Sequence, residues 1–337
     1  MRIGLVGLGR IGAFHAETLG SLDLVDELLV FDPVPAAVES AVAGTDKARA
    51  VSGVEELLGS SIDGLVIAAA TNAHAELLLA AVSRGIPAFC EKPIAGSADE
   101  ALLVRDRLVQ HDVPIQIGYP RRFDPAFVAA RDLARSGALG TVHTVRSTTF
   151  DPAPPPAAYL AVSGGIFRDC AVHDFDAVRW VTGQEVREVY AVGSVDPLEP
   201  EDMYLDNNDY STVSVLLTMD DGTIGVVSNT RRNASGYDVR LEVHGTKDAV
   251  AAGLDDGLPL RSAAQQVPWP AGPAHAFFMD RLDEAFRIEL ATFCSVASGD
   301  IPSPCTIDDA IGTAWVAEAA TLSAREHRPV RIEEVTR

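Results

Sequence analysis

Cysteine is scarce in this chain, with Cys90, Cys170, Cys294 and Cys305 among 337 residues. None forms a CxxC pair or a zinc-ligand spacing, and no HxxxH or mixed His/Cys cluster suggests a metal. Reduced, mostly buried thiols and no bound metal are therefore expected. Cations are also few: 27 Lys and Arg against 48 Asp and Glu leave a formal charge of −21. A surface field of that sign repels nucleic acid and anionic membranes, so neither is expected as a partner. A local group of amides and cations can still bind an anionic ligand. No apolar run nears the roughly 18 residues of a membrane span. Met1 and Arg2 run straight into the apolar segment Ile3–Val6, with no leader pattern. A soluble, cytoplasmic protein is expected. Internal repeats and low-complexity tails are lacking as well.

What is present is an ordinary globular balance, 47% hydrophobic and 22% charged, which excludes wholesale disorder. The length exceeds the usual ceiling for one hydrophobic core, so two domains are expected. Over residues 1–118, short apolar runs (Ile3–Val6, Leu28–Phe31, Leu65–Ala70, Ile86–Phe89, Ile115–Ile117) alternate with helical patterns at 11–20, 34–43, 73–84 and 97–110. Continuous apolar strands alternating with helices predict a doubly wound parallel sheet, an N-terminal Rossmann domain. After Gly118 the pattern changes to strand-like segments at 141–150, 186–195, 211–219, 223–231 and 238–244, with Asp220-Asp221-Gly222 as a hairpin turn. Helical stretches follow at 276–298 and 307–325. Residues 119–337 are thus expected to form an α+β domain around a mostly antiparallel sheet. Pro152, Pro154, Pro155 and Pro156 mark a loop that cannot join a ladder.

Gly7-Leu8-Gly9-Arg10-Ile11-Gly12 matches GxGxxG between a predicted strand and a predicted helix. Alone, the match also fits any Gly-rich βα turn. In this place the first glycine makes the turn, the second lets backbone approach a pyrophosphate, and the third allows close helix packing. Asp32 ends the second apolar run, 20 residues after Gly12. A carboxylate there accepts bonds from both ribose hydroxyls and repels a 2′-phosphate, and no cation follows before Lys47. NAD is therefore expected over NADP, the alternative being a solvated strand-end aspartate.

Asp169 and His173 lie four residues apart in a segment of helical periodicity, with Asp176 three further on, so all three are predicted on one face. Ile166, Phe167, Cys170, Ala177, Val178 and Val181 form an adjacent apolar stripe, and Gly183 is a plausible stop. Alone, His173 also fits a structural histidine.

Four segments go beyond a generic dinucleotide fold: Ala70-Thr71-Asn72-Ala73-His74, Glu91-Lys92-Pro93, Gly118-Tyr119-Pro120-Arg121-Arg122-Phe123-Asp124 and Gly164–His173. With these the chain resembles the Gfo/Idh/MocA oxidoreductase family along nearly its whole length, and within it the inositol 2-dehydrogenase branch. The resemblance implies an open-faced sheet in the C-terminal domain and alcohol–ketone chemistry on a cyclitol or sugar. It also implies a homo-oligomer, a dimer or tetramer. Thr71, Asn72 and His74 would line the nicotinamide side, and Glu91 and Lys92 would close it. Histidine suits removal of a hydroxyl proton near neutral pH. His173 is therefore the expected base, Asp169 its orienting partner and Lys92 the group that stabilises alkoxide charge. Whether Lys92 or His173 takes the proton first stays open.

Arg121, Asp176 and Tyr237 match positions that meet the polyol, although Arg121 could instead pair with Asp124 and Tyr237 could be strand packing. In Ser147–Pro152, Thr149 and Asp151 stand where inositol dehydrogenases commonly carry histidine and asparagine, so Asp151 is a substrate candidate. That exchange leaves a related cyclitol or a pyranose as open as myo-inositol. An NAD-using glycosidase of the same family and a non-catalytic NAD sensor are the other readings. His15, in the first helix, is expected to pack or to lie near the cofactor. His111, His143, His244, His275 and His327 form no constellation.

Overall fold

The structure, a computed structural model, describes residues 1–195, 203–204, 206–253 and 275–336. It divides into two compact units, Met1–Phe123 with Glu284–Ile311, and Asp124–Asp283 with Gly312–Arg337.

In the first unit, strands β1 (Arg2–Val6), β2 (Glu27–Phe31), β3 (Ala48–Ala50), β4 (Gly64–Ile67), β5 (Ala88–Glu91) and β6 (Ile115–Gly118) form one sheet in the order β3-β2-β1-β4-β5-β6. Every pairing in it is parallel. Helices α1 (Arg10–Ser21), α2 (Pro35–Gly44), α3 (Val54–Gly59), α4 (Thr71–Val82) and α5 (Ala98–Leu108) connect the strands. The central strands are buried along their length because helices cover both faces, which is why they read as unbroken apolar runs. β3 and α3 were not anticipated; Ala48-Arg49-Ala50 is short, half-exposed and lacks the β-branched residues that mark a strand.

The expectation of one continuous second domain from 119 onward is corrected here. Helix α10 (Asp283–Ala297) inserts Leu290, Phe293 and Cys294 into the apolar core formed by Ile3, Leu5, Leu19, Leu28 and Phe89. The approach is close: a Cβ on Gly64 would lie 3.0 Å from the Phe293 ring. Downstream, the buried Arg122 donates to the Pro304 carbonyl and pairs with Asp309 at 3.3 Å. Burial opposes ionisation of Asp309, yet Arg122 and the Thr306 donors hold its carboxyl below the usual range.

The second unit is built on a seven-stranded sheet in the order β12-β11-β7-β10-β9-β8-β13. Its members are β7 (Val142–Phe150), β8 (Val186–Ser194), β9 (Thr212–Met219), β10 (Ile224–Thr230), β11 (Asp238–Gly245), β12 (Ala249–Ala252) and β13 (Val330–Arg331). The β7–β10 pair is parallel and the others are antiparallel. Gly222 closes the β9–β10 hairpin with φ +91°, a conformation that favours glycine. One face buries Val189, Val215, Leu217, Val227 and Val243 against α6 (Pro125–Arg135), α9 (Val172–Thr182) and the later part of α11 (Ile307–Glu326). The other face leaves Tyr190, Val192, Leu216 and Ile224 from 37% to 51% exposed, so it is an open apolar sheet surface.

All four cysteines are buried thiols, and burial pushes Cys294 up to about 11. Among the described residues no helix is long and apolar enough to cross a membrane. Phe293→Ala is expected to cost the first unit about 3–5 kcal/mol in chemical denaturation, the range for a buried aromatic truncated in a core. A loss below about 1 kcal/mol would separate Glu284–Ile311 from that core.

Candidate active site

The first unit presents a nucleotide turn in which each glycine has a different physical reason. Gly7 has φ +92°, and a Cβ there would lie 2.4 Å from the Ala69 nitrogen. At Gly12 a Cβ would stand 2.0 Å from the Gly7 carbonyl oxygen, so α1 reaches the strand end only because that side chain is missing. Gly9 differs: no protein atom lies within 4 Å of its would-be Cβ. Packing therefore does not require glycine at 9, and the space before its backbone is open. Gly9 is also the N-cap of α1 and makes no side-chain cap bond. The helix start, followed by exposed Arg10 and half-buried Ile11, thus keeps amides suited to an anionic pyrophosphate. Asp32, just past β2, accepts from the Leu8 amide at 2.7 Å and the Val34 amide at 2.8 Å. Two backbone bonds fix this carboxylate beside the turn and leave lone pairs for ribose hydroxyls.

Thr71 begins α4, with Asn72 exposed after it. The ring of His74 is buried, with Nδ1 2.7 Å from the Pro93 carbonyl and Nε2 2.9 Å from the Ala69 carbonyl. The ring is thus held between the loop after β5 and the end of β4. Glu91 is likewise engaged by the protein itself. It is buried, and His15 Nε2 lies 2.7 Å from its Oε1. The His15 ring packs among Phe14, Phe89 and Phe286, and its Nδ1 has no partner among the described residues. Proton donation from Nε2 to the carboxylate is the tautomer this geometry favours. Lys92, next in sequence, is half-buried. Arg121 is buried in the 3-10 turn Pro120–Phe123.

In the second unit, the helix expected across 166–182 is two: α8 (Ile166–Asp169) and α9, separated at Cys170-Ala171. The Ala171 amide donates to the Ile166 carbonyl and the His173 amide to that of Cys170, so the regular four-residue ladder is broken. Asp169 and His173 therefore do not share one helix face; His173 and the fully buried Asp176 do, three apart on α9. Asp169 is the hub of a charged cluster. Tyr159, on α7 (Ala157–Ser163), donates to it at 2.9 Å, and Arg231 Nη1 lies 3.3 Å away. Arg231 Nη2 lies 3.3 Å from Asp209, which also accepts from the Ile166 amide at 2.7 Å.

A second buried carboxylate, Asp174, accepts from Ser147 at 2.5 Å, Thr149 at 2.8 Å and Asn229 at 2.7 Å. Thr149 is thus turned toward Asp174, while Asp151 is half-buried at the end of β7, its amide on the Thr230 carbonyl. Tyr237 is buried, with its ring 6.5 Å from those of Phe277 and Phe278. Asp124, weighed as a partner for Arg121, caps α6 and pairs with Arg281 at 2.8 Å. Sequence reading missed Tyr159, Asp174, Asp209 and Arg231. For Arg231 a signal existed: on β10 and just beyond, Val227, Asn229 and Arg231 share the buried alternate track, where polar residues need a reason.

Residues 1–119 match the family described as an oxidoreductase family with an NAD-binding Rossmann fold, and residues 127–251 match the GFO/IDH/MocA C-terminal domain. Among curated relatives, inositol 2-dehydrogenase of Rhizobium meliloti is 35% identical, over 98% of this chain and 99% of that protein. The crystal structure of a myo-inositol dehydrogenase from Corynebacterium glutamicum superposes with a TM-score of 0.88 at 34% identity, covering 98% of each chain. A scyllo-inositol dehydrogenase from Lactobacillus casei, solved with bound NAD(H) and scyllo-inositol, gives a TM-score of 0.88 at 26% identity over 99% of each chain.

The glycines make a paired prediction. Gly9→Ala should leave stability within about 0.5 kcal/mol of the parent, yet weaken NAD binding about tenfold or more, on the order of 1.4 kcal/mol. Gly12→Ala should lower both. Thermal unfolding beside calorimetric titration with NAD reads the difference; equal NAD affinity in Gly9→Ala would remove the cofactor from this turn.

Proposed function

The chain belongs to the GFO/IDH/MocA oxidoreductase family, and from that premise we propose that it is an NAD-dependent dehydrogenase oxidising a secondary hydroxyl of a cyclitol or sugar to the ketone. The observation that carries the reading is the nucleotide turn, with Gly9 open and Asp32 fixed beside it, in a chain similar along its length to inositol dehydrogenases. Pyrophosphate suits the start of α1 and a ribose diol suits Asp32, so the residues present fit NAD.

When bound, NAD supplies nicotinamide C4 as the hydride acceptor. The protein's part is proton and charge management. His173 takes the hydroxyl proton, Asp169 orients the proton-transfer groups, and Lys92 stabilises negative charge growing on the substrate oxygen. Arg121, Asp151, Asp176 and Tyr237 are assigned to the hydroxyls of the substrate, each a donor or acceptor whose loss would leave a hydroxyl unmatched. Thr71, Asn72, Arg10 and Ile11 complete the cofactor contacts. His74 and Glu91 act behind them as braces. The acid excess suits a cytoplasmic enzyme without nucleic-acid or membrane partners. The open sheet face with Tyr190 and Leu216 suits a homo-oligomer.

The direct test follows NADH absorbance while inositols, aldoses and aryl glycosides are offered with NAD. NADH appearing with a cyclitol or aldose supports the dehydrogenase; aglycone release without NADH makes the protein a glycosidase instead. His173→Ala should lower kcat by about 10²–10⁴, the span of general acid–base catalysis, with NAD affinity unchanged. Near-parental turnover would remove His173 from the mechanism. Asp32→Ser should erode the preference for NAD over NADP, and an unaltered ratio of kcat/KM for the two cofactors would leave Asp32 without that role.

A further inference from the structure

Arg231 is 1% exposed at its side chain and sits between two carboxylates, Asp169 and Asp209, each 3.3 Å from a different terminal nitrogen. A guanidinium buried this deeply is held by its partners or not at all. Its backbone is also anchored, the amide donating to the Ser211 carbonyl at 2.7 Å. Asp209 is tied through its other oxygen to the amide that opens α8. The bridge therefore links the end of β10, the segment before β9 and the short helix that ends in Asp169.

We infer that Arg231 is a positioning residue for the proposed proton-transfer groups, keeping Asp169 ionised and aimed by bridging it to Asp209. The inference rests on the dehydrogenase reading. Burial alone disfavours the charge on Arg231, but Asp209 and Asp169 outweigh it and hold the guanidinium above its ordinary range. The groups around Asp169 come from several elements. Tyr159 faces it from α7, Arg231 from beyond β10, and Arg168, Cys170 and His173 flank it in sequence. Arg168 lies 3.4 Å from Glu318. Burial pushes the Cys170 thiol well above its ordinary range, Asp151, Asp174 and Asp169 add to that, and Arg231 acts in the opposite sense. In this acidic surround, Arg231 is a cation whose removal Asp169 should register.

The signs are opposite for the two ends of the bridge. Arg231→Met removes the cation, so the coupled Asp169 and His173 groups should bind their protons at higher pH and the acid limb of kcat should move up, by about one unit or more. Asp209→Asn removes the competing carboxylate while keeping an acceptor for the Ile166 amide. It leaves the cation to Asp169, so the limb should move down. Arg231→Lys keeps the charge but loses the fork; the limb should return toward its parental position while kcat stays below the parent.

NAD affinity, measured in parallel, should not change. A limb unmoved in Arg231→Met, or moved in the same direction by both variants, overturns the inference, and Asp209→Asn alone decides it if Arg231→Met does not fold. If the parent oxidises none of the polyols and sugars, the dehydrogenase reading fails separately. The Asp169 carboxyl, assigned in ¹³C-labelled protein by Asp169→Asn, is then titrated by NMR with and without Arg231→Met. A midpoint unchanged by the substitution overturns the bridge, and an upward shift supports it.

Discussion

The first unit depends on how closely a helix can approach the end of a strand. The Gly7 carbonyl occupies the place where a side chain at 12 would begin, so α1 sits deeper than any substituted residue would allow. That depth brings the first amides of α1 beside the Asp32 carboxylate, which is itself pinned by the Leu8 amide from the same turn. The affinity for a dinucleotide is thus a consequence of backbone geometry. In the proposed reading, Asp32 adds the choice between ribose and its phosphorylated form. The core behind the turn, with Ile3, Leu19 and Leu28 packed against Phe293 from a distant part of the chain, keeps that geometry rigid.

The second unit solves a different problem, the placing of charge inside a β-sheet protein. Asp174 is satisfied by neutral donors from two neighbouring strands, and Asp169 by a tyrosine and a shared arginine. These are distinct electrostatic settings for two carboxylates five residues apart. The first is a structural anion locked by hydroxyls and an amide; the second faces a cation whose charge it divides with Asp209. Environments that differ in this way separate the roles of otherwise identical side chains.

Much of this was legible in the sequence wherever a local rule governs. The unbroken apolar runs marked the parallel strands, the three glycines marked the turn, and Asp220-Asp221-Gly222 marked the hairpin. Where long-range partners decide, local reading stopped short. The partners of His74 and Glu91 were not foreseen, because Pro93 and His15 reach their polar atoms from afar in sequence. The break at Cys170-Ala171 was invisible, since neither residue is a helix breaker and the periodicity continues across it. Residues 284–311 read as part of the later domain because an amphipathic helix carries no record of which core it enters. Arg231 was overlooked because a polar residue on a buried strand track acquires meaning only when its partners are known.

The parallel pairing of β7 with β10 has a consequence for how the protein is assembled. Val142–Phe150 and Ile224–Thr230 lie side by side in the centre of the sheet, while α8, α9, β8 and β9 all fall in the chain between them. The segment carrying Asp169 and His173 is therefore the interior of a large loop whose ends must meet before the sheet exists. Closing such a loop costs chain entropy before its contacts are gained, and the nucleotide turn, which leans on Phe31, Asp32 and Ala69, waits on non-local pairings of its own. The Asp169–Arg231 bridge, with one partner inside that loop and the other just past β10, is therefore completed by the same closure that brings the two strands together.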